Sequence, residues 1–402
     1  MDAVARKGPA FENLPVEILL QIAGYLAGAT WDGYGPRLYR STLEFAGDSF
    51  RSIESCTGNV LNLRVNRRLT DVCHKVLLRH PVYCSTAWKS FAGLLAIDHA
   101  GRPRLTVPIG HLLIDEFCTR DLRRTLEGPL GKKPYEAACF SALRSVEVCN
   151  YVFGPCRMPP YDVESRQTWF KFLGSIPSLE RLALDNMHLD GAIAFPVLPN
   201  VKVVMFDNCR SVDKTILRNF PSVREVFNMV SGDDLEIPST VEKLTWEPHG
   251  GQVDLLKLAI RRLPSLKHLE FPLPSALFGT SHAEDHQNLT GSLETLRFSS
   301  YEPLGFVGGH YSNHVDQLLS AVNALEYKCR HVYPKLKSID VCAMIPIHTY
   351  GPSSPGRLEQ ACDLMEDAQR RFREELGVEL IHRCTRDYLL RAGHFKKDQA
   401  RR

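Results

Sequence analysis

His282 and His286 stand four residues apart with Asp285 beside the second, a spacing that would put two imidazoles on one helical face to hold zinc. They lie in a polar stretch after Gly279, and Ala283 stands directly after the first histidine where such a motif has its glutamate base, so they read as a solvated loop. Gly305 to Gly309 is glycine-rich but lacks the Lys-Ser/Thr that a phosphate-cradling loop needs, and reads as an insertion. Cys149 and Cys156 are too isolated for a metal site. No Gly-x-Ser-x-Gly elbow, Cys/His setting or paired carboxylate stands out. Arg67-Arg68, Arg123-Arg124, Arg261-Arg262 and Arg370-Arg371 are spread along the chain and read as solvated faces rather than a nucleic-acid groove. The sequence therefore predicts no catalytic residue, no metal and no cofactor.

The elements around these residues are more informative than the residues themselves. At 402 residues and 44% apolar content, the chain can build two or three domains with full cores. A net charge of +3 is close to balance and argues against a dedicated nucleic-acid binder. No apolar run approaches the ~20 residues that cross a bilayer, and Met1 to Glu12 lacks a signal peptide's apolar segment. Twelve cysteines are scattered with no paired framework, which fits thiols used as small core residues in a reducing compartment. The expected location is cytoplasmic or nuclear, with no membrane partner.

One rhythm recurs through the middle of the chain. Leu179, Leu182 and Leu184 are apolar at i, i+3 and i+5; in a strand Leu182 and Leu184 share a face, with Arg181, Ala183 and Asp185 on the other. The same spacing returns at Ile109-Leu112-Ile114, Leu143-Val146-Val148, Val201-Val204-Phe206, Val241-Leu244-Trp246, Leu266-Leu269-Phe271, Leu293-Leu296-Phe298 and Leu336-Ile339-Val341. A weaker copy is Val223-Val226, where Asn228 takes the last place. Pro177, Pro199, Pro221, Pro264 and Pro334 each stand two residues ahead of a copy, suiting the bend into a strand. Copies 18 to 43 residues apart lie where stacked repeats live.

This pattern resembles a degenerate leucine-rich repeat over roughly Ile109 to Val341. The resemblance implies stacked units with a parallel sheet on the inner face. The family's polar residue after the strand is matched by Cys209, whereas Tyr151, Met187, Ser231, His249 and Pro274 fill that slot elsewhere, so an uneven arc is expected. The helical stretches between strands are Thr168–Leu173, Asp213–Asn219, Val253–Leu263 and His314–Cys329. A turn-rich link, Pro346–Pro355, precedes a long charged helix carrying Leu358, Cys362, Met365, Phe372 and Leu376. Gly377–Ile381 follows as a last edge strand, and this helix suits a terminal cap.

Ahead of the repeats, Asn13 to Leu26 forms an amphipathic helix with Pro15 in its first turn and Ile18, Leu19, Ile22 and Leu26 along one stripe. Val60 to Cys73 forms a second, with Leu61, Val65, Leu69 and Val72 on one side. Leu14-Pro15-x-Glu17-Ile18-Leu19, then Leu63-Arg64-x-Asn66-Arg67-Arg68-Leu69-x-Asp71, resembles an F-box. The expected fold is α/β: a helical F-box over 11–80 with an insertion at 27–59, a leucine-rich-repeat solenoid over 81–345, a C-terminal cap over 346–392 and a basic tail over 393–402.

By this resemblance the chain would be a non-catalytic substrate receptor of an SCF (cullin–RING) ubiquitin ligase. Leu14, Pro15, Ile18, Leu19, Ile22, Leu26, Val65 and Leu69 would meet the Skp-family adaptor, which links to the cullin. A target protein would be read on the inner sheet face by Arg181, Asp185, Met205, Asp207, Glu225, Phe227, Lys243, His268, Glu270, Arg297 and Asp340. Exposed Met205 and Phe227 among mixed charges suggest a protein rather than a polyanion. The alternative is a repeat scaffold whose F-box is vestigial and has no ubiquitin role.

Overall fold

The computed structural model describes residues 14–19, 82–83, 110–115, 142–149, 163–185, 187, 189, 194–207, 209, 212–229, 235–246, 263–271, 292–298, 322–323, 326–327, 329, 333–341 and 355–382. The chain divides into two compact units, one comprising Met1–Met187 with Gly191–Val201, the other His188–Asp190 with Lys202–Arg402. The first carries β1 (Val82–Tyr83), β2 (His111–Asp115), β3 (Ser145–Cys149) and β4 (Arg181–Asp185). They pair side by side in chain order, all parallel.

The second unit carries β5 (Val203–Asp207), β6 (Glu225–Met229), β7 (Lys243–Trp246), β8 (His268–Phe271), β9 (Thr295–Phe298), β10 (Ser338–Asp340) and β11 (Glu379–Ile381). Again each strand pairs in parallel with the next in sequence.

Register shows why the rhythm makes a core. Leu112, Val146 and Leu182 are direct partners in the first unit. Val204, Val226, Leu244, Leu269, Leu296, Ile339 and Leu380 form the same ladder in the second. A one-residue slip would turn every one of them to the opposite face, so the period-2 alternation locks the stack in phase. The residues three before them are also buried: Leu143 and Leu179 in the first unit, Val223, Val241, Leu266, Leu293 and Leu336 in the second. Each fully buried side chain of this kind contributes about 1.5–3 kcal/mol relative to exposure, which makes these ladders the main stabilising feature.

The repeat proves longer than its sequence signature. Ile176, Leu198, Phe220, Leu263 and Tyr333 are all buried three residues ahead of the first apolar position. In each case the carbonyl accepts the N–H of the residue three on, at 3.3 Å from Leu179 and Val201, 3.0 Å from Val223, 3.2 Å from Leu266 and 3.1 Å from Leu336. The prolines occupy the second position of these turns, where a fixed φ and a missing donor are both harmless. Small polar residues just before the strand then stitch repeats together. Ser178 Oγ donates to the Leu143 carbonyl at 2.8 Å, Thr240 Oγ1 to Val223 at 3.0 Å and Ser292 Oγ to Leu266 at 2.8 Å.

Among the described residues, helix is confined to a few places. α1 (Val163–Gly174) starts five residues before the expected Thr168 and buries Phe170, Phe172 and Leu173. Phe170 packs on Phe195 with the rings tilted at 57° and their centroids 4.6 Å apart. The Asp213–Asn219 stretch gives a single 3-10 turn at Ile216–Asn219 rather than an α-helix. Ahead of that turn the Asp213 carboxyl accepts the Thr215 N–H at 2.8 Å and is held below its usual range chiefly by that bond. The expected C-terminal helix is present as α2 (Pro355–Arg371), continuing into a wider π turn at Phe372–Leu376. Cys362, Met365, Ala368 and Phe372 are buried along one side of it. Gln369 Nε2 donates to the Leu380 carbonyl at 2.8 Å, tying this segment to the final strand.

β1 is an element the sequence reading does not anticipate; Tyr83 pairs with Ile114, the last place of the first copy. The expected helix Val253–Leu263 lies outside the described residues apart from its last residue, as do the insertion at 27–59, the second F-box helix and the basic tail.

Candidate functional site

On the face opposite the core, the second unit carries two rows of side chains. The first runs Val203, Glu225, Lys243, His268, Thr295, Ser338 and Glu379; the second runs Met205, Phe227, Thr245, Glu270, Arg297, Asp340 and Ile381. Strand pairing sets this order, so sequence-distant residues become neighbours at rigid strand positions.

The rows interact internally. Lys243 Nζ lies 3.4 Å from Glu225 Oε2 and 5.2 Å from the Phe227 ring centroid, an ion pair combined with a cation–π contact. His268 Nδ1 and Thr295 Oγ1 share a hydrogen bond at 2.6 Å. Partial burial, then the Lys243 charge, holds the His268 imidazole below its ordinary value, so it is neutral at pH 7. Thr245 Oγ1 donates to Glu270 Oε2 at 3.4 Å. Arg297 sits between two carboxylates, its Nε 3.1 Å from Glu270 Oε1 and 3.3 Å from Asp340 Oδ2.

Two expectations for this face need correction. Met205 and Phe227, read as exposed from the sequence, are 4% and 3% exposed. Alternation along a strand says which face a residue takes, not how deeply it is buried there: the second row is buried from β5 to β7, whereas Val203, Glu225 and Lys243 of the first row are half-buried. Glu225, Lys243, His268, Glu270, Arg297 and Asp340 stand on the two rows from β6 to β10, all half-buried. In the first unit, Arg181 is exposed on β4. Asp185 and Asp207 are the last residues of β4 and β5.

A further row was legible only in retrospect. The residues just ahead of the strands, Arg224, Glu242, Lys267, Glu294 and Lys337, alternate in charge from repeat to repeat. Lys267 Nζ donates to Glu242 Oε2 at 2.8 Å and Lys337 Nζ to Glu294 Oε2 at 2.5 Å; Arg224 Nη1 lies 3.5 Å from Glu242 Oε1. These bonds hold the carboxyls of Glu242 and Glu294 below their ordinary range and raise the Lys267 ammonium above its own. The carbonyls of Arg224, Glu242, Lys267 and Glu294 each accept two N–H groups of the following repeat. The signal was present in the sequence as sign alternation at one repeat position.

Of the expected adaptor contacts, residues 14–19 are described. Residues 16–19 form a helical turn, closed by the Leu19 N–H on the Pro15 carbonyl at 3.0 Å. Pro15 is exposed and Ile18 is 40% exposed, whereas Leu19 is 1% exposed and packs inside the chain. Leu19 therefore belongs to a core rather than to an open docking patch. Ile22, Leu26, Val65 and Leu69 lie outside the described residues.

Nothing in the described residues adds a chemical centre. No group of three or more His, Cys, Asp or Glu there could hold a metal, and no helix there is long and apolar enough to cross a membrane. Cys209, Cys329 and Cys362 are buried free thiols, as expected of small core residues. Burial, then Glu326, pushes the Cys329 thiol up to about 12, which keeps it protonated and inert.

The stacked parallel strands, with one apolar ladder per unit, define a repeat protein. No family model matches the chain. No curated protein matches it either. Among solved structures, the crystal structure of a TLR13–ssRNA13 complex is similar at 13% identity and a TM-score of 0.31, over 58% of this chain. The match spans 32% of that chain, about a third of its length.

Proposed function

We propose that this chain is the substrate-recognition subunit of an SCF (cullin–RING) ubiquitin ligase, an F-box protein with leucine-rich-type repeats. The F-box helices dock on the Skp-family adaptor, and the inner sheet face holds a target protein. The chain carries no catalytic group of its own. It contributes proximity, placing target lysines near a ubiquitin-loaded conjugating enzyme. The observation that carries this reading is the state of Pro15 and Ile18: two apolar residues on a helical turn, ahead of the repeats, left facing solvent. A helix-in-groove contact uses such residues as anchors.

Co-expression of the full chain with a Skp-family adaptor should yield a stable complex. Pro15→Ala/Ile18→Ala should reduce its recovery about tenfold or more, as loss of interface anchors does. A full chain that leaves the adaptor in the flow-through would end the ligase reading. Burial of Leu19 favours a second reading, a non-catalytic scaffold with a vestigial F-box. That reading expects partner binding on the sheet face with no adaptor bound.

A further inference from the structure

The buried ladder of the second unit does not say which strand belongs beside which. Val226, Leu244, Leu269, Leu296 and Ile339 are all aliphatic and at most 2% exposed. Side chains of such similar size and chemistry pack against one another almost interchangeably. Connection length selects weakly too, because the entropy of closing a loop grows slowly with its length.

Charge removes this degeneracy. On β6, β8 and β10 a cation stands just ahead of the strand (Arg224, Lys267, Lys337) and a carboxylate on the inner face (Glu225, Glu270, Asp340). On β7 and β9 the order is reversed, with Glu242 and Glu294 ahead and Lys243 and Arg297 on the face. Neighbouring strands are therefore complementary at both places, and strands one further apart are alike at both. The contacts follow this rule. Lys267 reaches Glu242 at 2.8 Å, Lys337 reaches Glu294 at 2.5 Å and Lys243 reaches Glu225 at 3.4 Å. Arg297 lies 3.1 Å from Glu270 and 3.3 Å from Asp340. Lys202, ahead of β5, has the same sign as Arg224, so the alternation begins at β6.

Pairing β8 directly with β10 would set Lys267 beside Lys337 and Glu270 beside Asp340. Like charges directly opposite one another on paired strands repel, where opposite charges attract. Exposed pairs are worth little once the chain is folded. A skipped strand also leaves its own apolar residues in water, so skipping is a folding error rather than a second native state. The charges act earlier, when strands first meet and complementarity selects among encounters. We infer that the alternation is a neighbour code for folding, which steers each strand from β6 to β10 onto the next in sequence and away from the one after it. The inference is independent of what the sheet face binds.

The test follows refolding of the full chain from urea, with oxidising pulses at successive times and disulfides identified by peptide mass spectrometry. His268 and Ser338 are each aligned with Thr295, so they lie two strands apart. That is about 9–10 Å in the folded sheet, beyond the span of about 4.4–6.8 Å between the Cα atoms of a disulfide. A bond in His268→Cys/Ser338→Cys therefore reports the skipped pairing, and one in Thr295→Cys/Ser338→Cys reports the correct one. Lys267→Glu and Lys337→Glu change side chains that are 45% and 71% exposed, so the apolar ladder is untouched. Each alone makes the skipped pair attractive and should raise its bond about threefold or more at early times. The double variant makes that pair alike again and should return the bond to the wild-type level, although it has lost more native ion pairs than either single one. Salt at about 0.5 M should erase the difference. No rise in either single variant overturns the inference. So does a double variant that skips more than the single ones, since loss of native pairs rather than sign would then govern, and so does a rise that salt leaves unchanged.

Discussion

Gly377 ends the π turn in the left-handed region, at φ 66° and ψ 21°, and its N–H bonds back to the Phe372 carbonyl. A Cβ there would meet nothing within 4 Å, so any penalty for alanine comes from the backbone alone. Gly174, at the end of α1, offers the opposite case: its φ is ordinary and a Cβ would sit 3.4 Å from the Pro196 Cβ, an ordinary contact. The same substitution should therefore change sign between the two sites. Gly377→Ala should lower stability by about 1 kcal/mol, whereas Gly174→Ala should raise it by about 0.4–1 kcal/mol through a less flexible unfolded chain. Urea midpoints of the two variants check this; equal shifts would show that packing, not φ, decides. Neither site was visible in the rhythm of apolar residues, because that rhythm reports faces and says nothing of φ.

At the scale of elements, two kinds of row hold the repeats in order, and they respond differently to solvent. The buried ladder through Leu244, Leu269 and Leu296 depends on area removed from water, which salt screening leaves alone. The row Arg224, Glu242, Lys267, Glu294 and Lys337 is exposed to half-buried and is screened. Glu242→Lys would place like charges on three adjacent repeats, so its destabilisation should shrink as salt is added, while that of Leu244→Ala should not. The pH dependence follows from the shifted groups. Glu242 and Glu294 titrate below their ordinary 4.5, so their contribution is present above that pH and is lost as pH falls through the lowered values. Lys267 titrates above its ordinary 10.5, so its share is present below that pH and disappears as pH rises through the raised value. Melting temperatures across pH and salt test both limbs, and a Glu242→Lys penalty that salt leaves unchanged would count against the ion-pair row. Nine strands, β2 to β10, were legible as i, i+3, i+5 copies, since a buried strand face needs that alternation. β1 escaped because the sequence has Pro81 two residues before Tyr83, which interrupts the apolar rhythm. Among the site residues, charge and strand position were legible for Glu270, Arg297 and Asp340, but burial of Met205, Phe227 and Leu19 was not, since it depends on what packs over them.

For the whole molecule, the pairing pattern predicts how damage spreads. Each described strand pairs only with its sequence neighbours, β7 with β6 and β8, β8 with β7 and β9. In such an architecture stability is close to a sum of repeat terms and nearest-neighbour interfaces. Leu269 is 2% exposed at the centre of the second unit's ladder, so Leu269→Ala should cost about 2–5 kcal/mol through lost burial and the cavity left behind. That loss should appear in hydrogen exchange as faster amides in β7, β8 and β9. The amides of β2, β3 and β4, which belong to the first unit, should keep their protection. A uniform acceleration through all the strands would mean that the chain opens as one cooperative body, and the nearest-neighbour account would have to be abandoned.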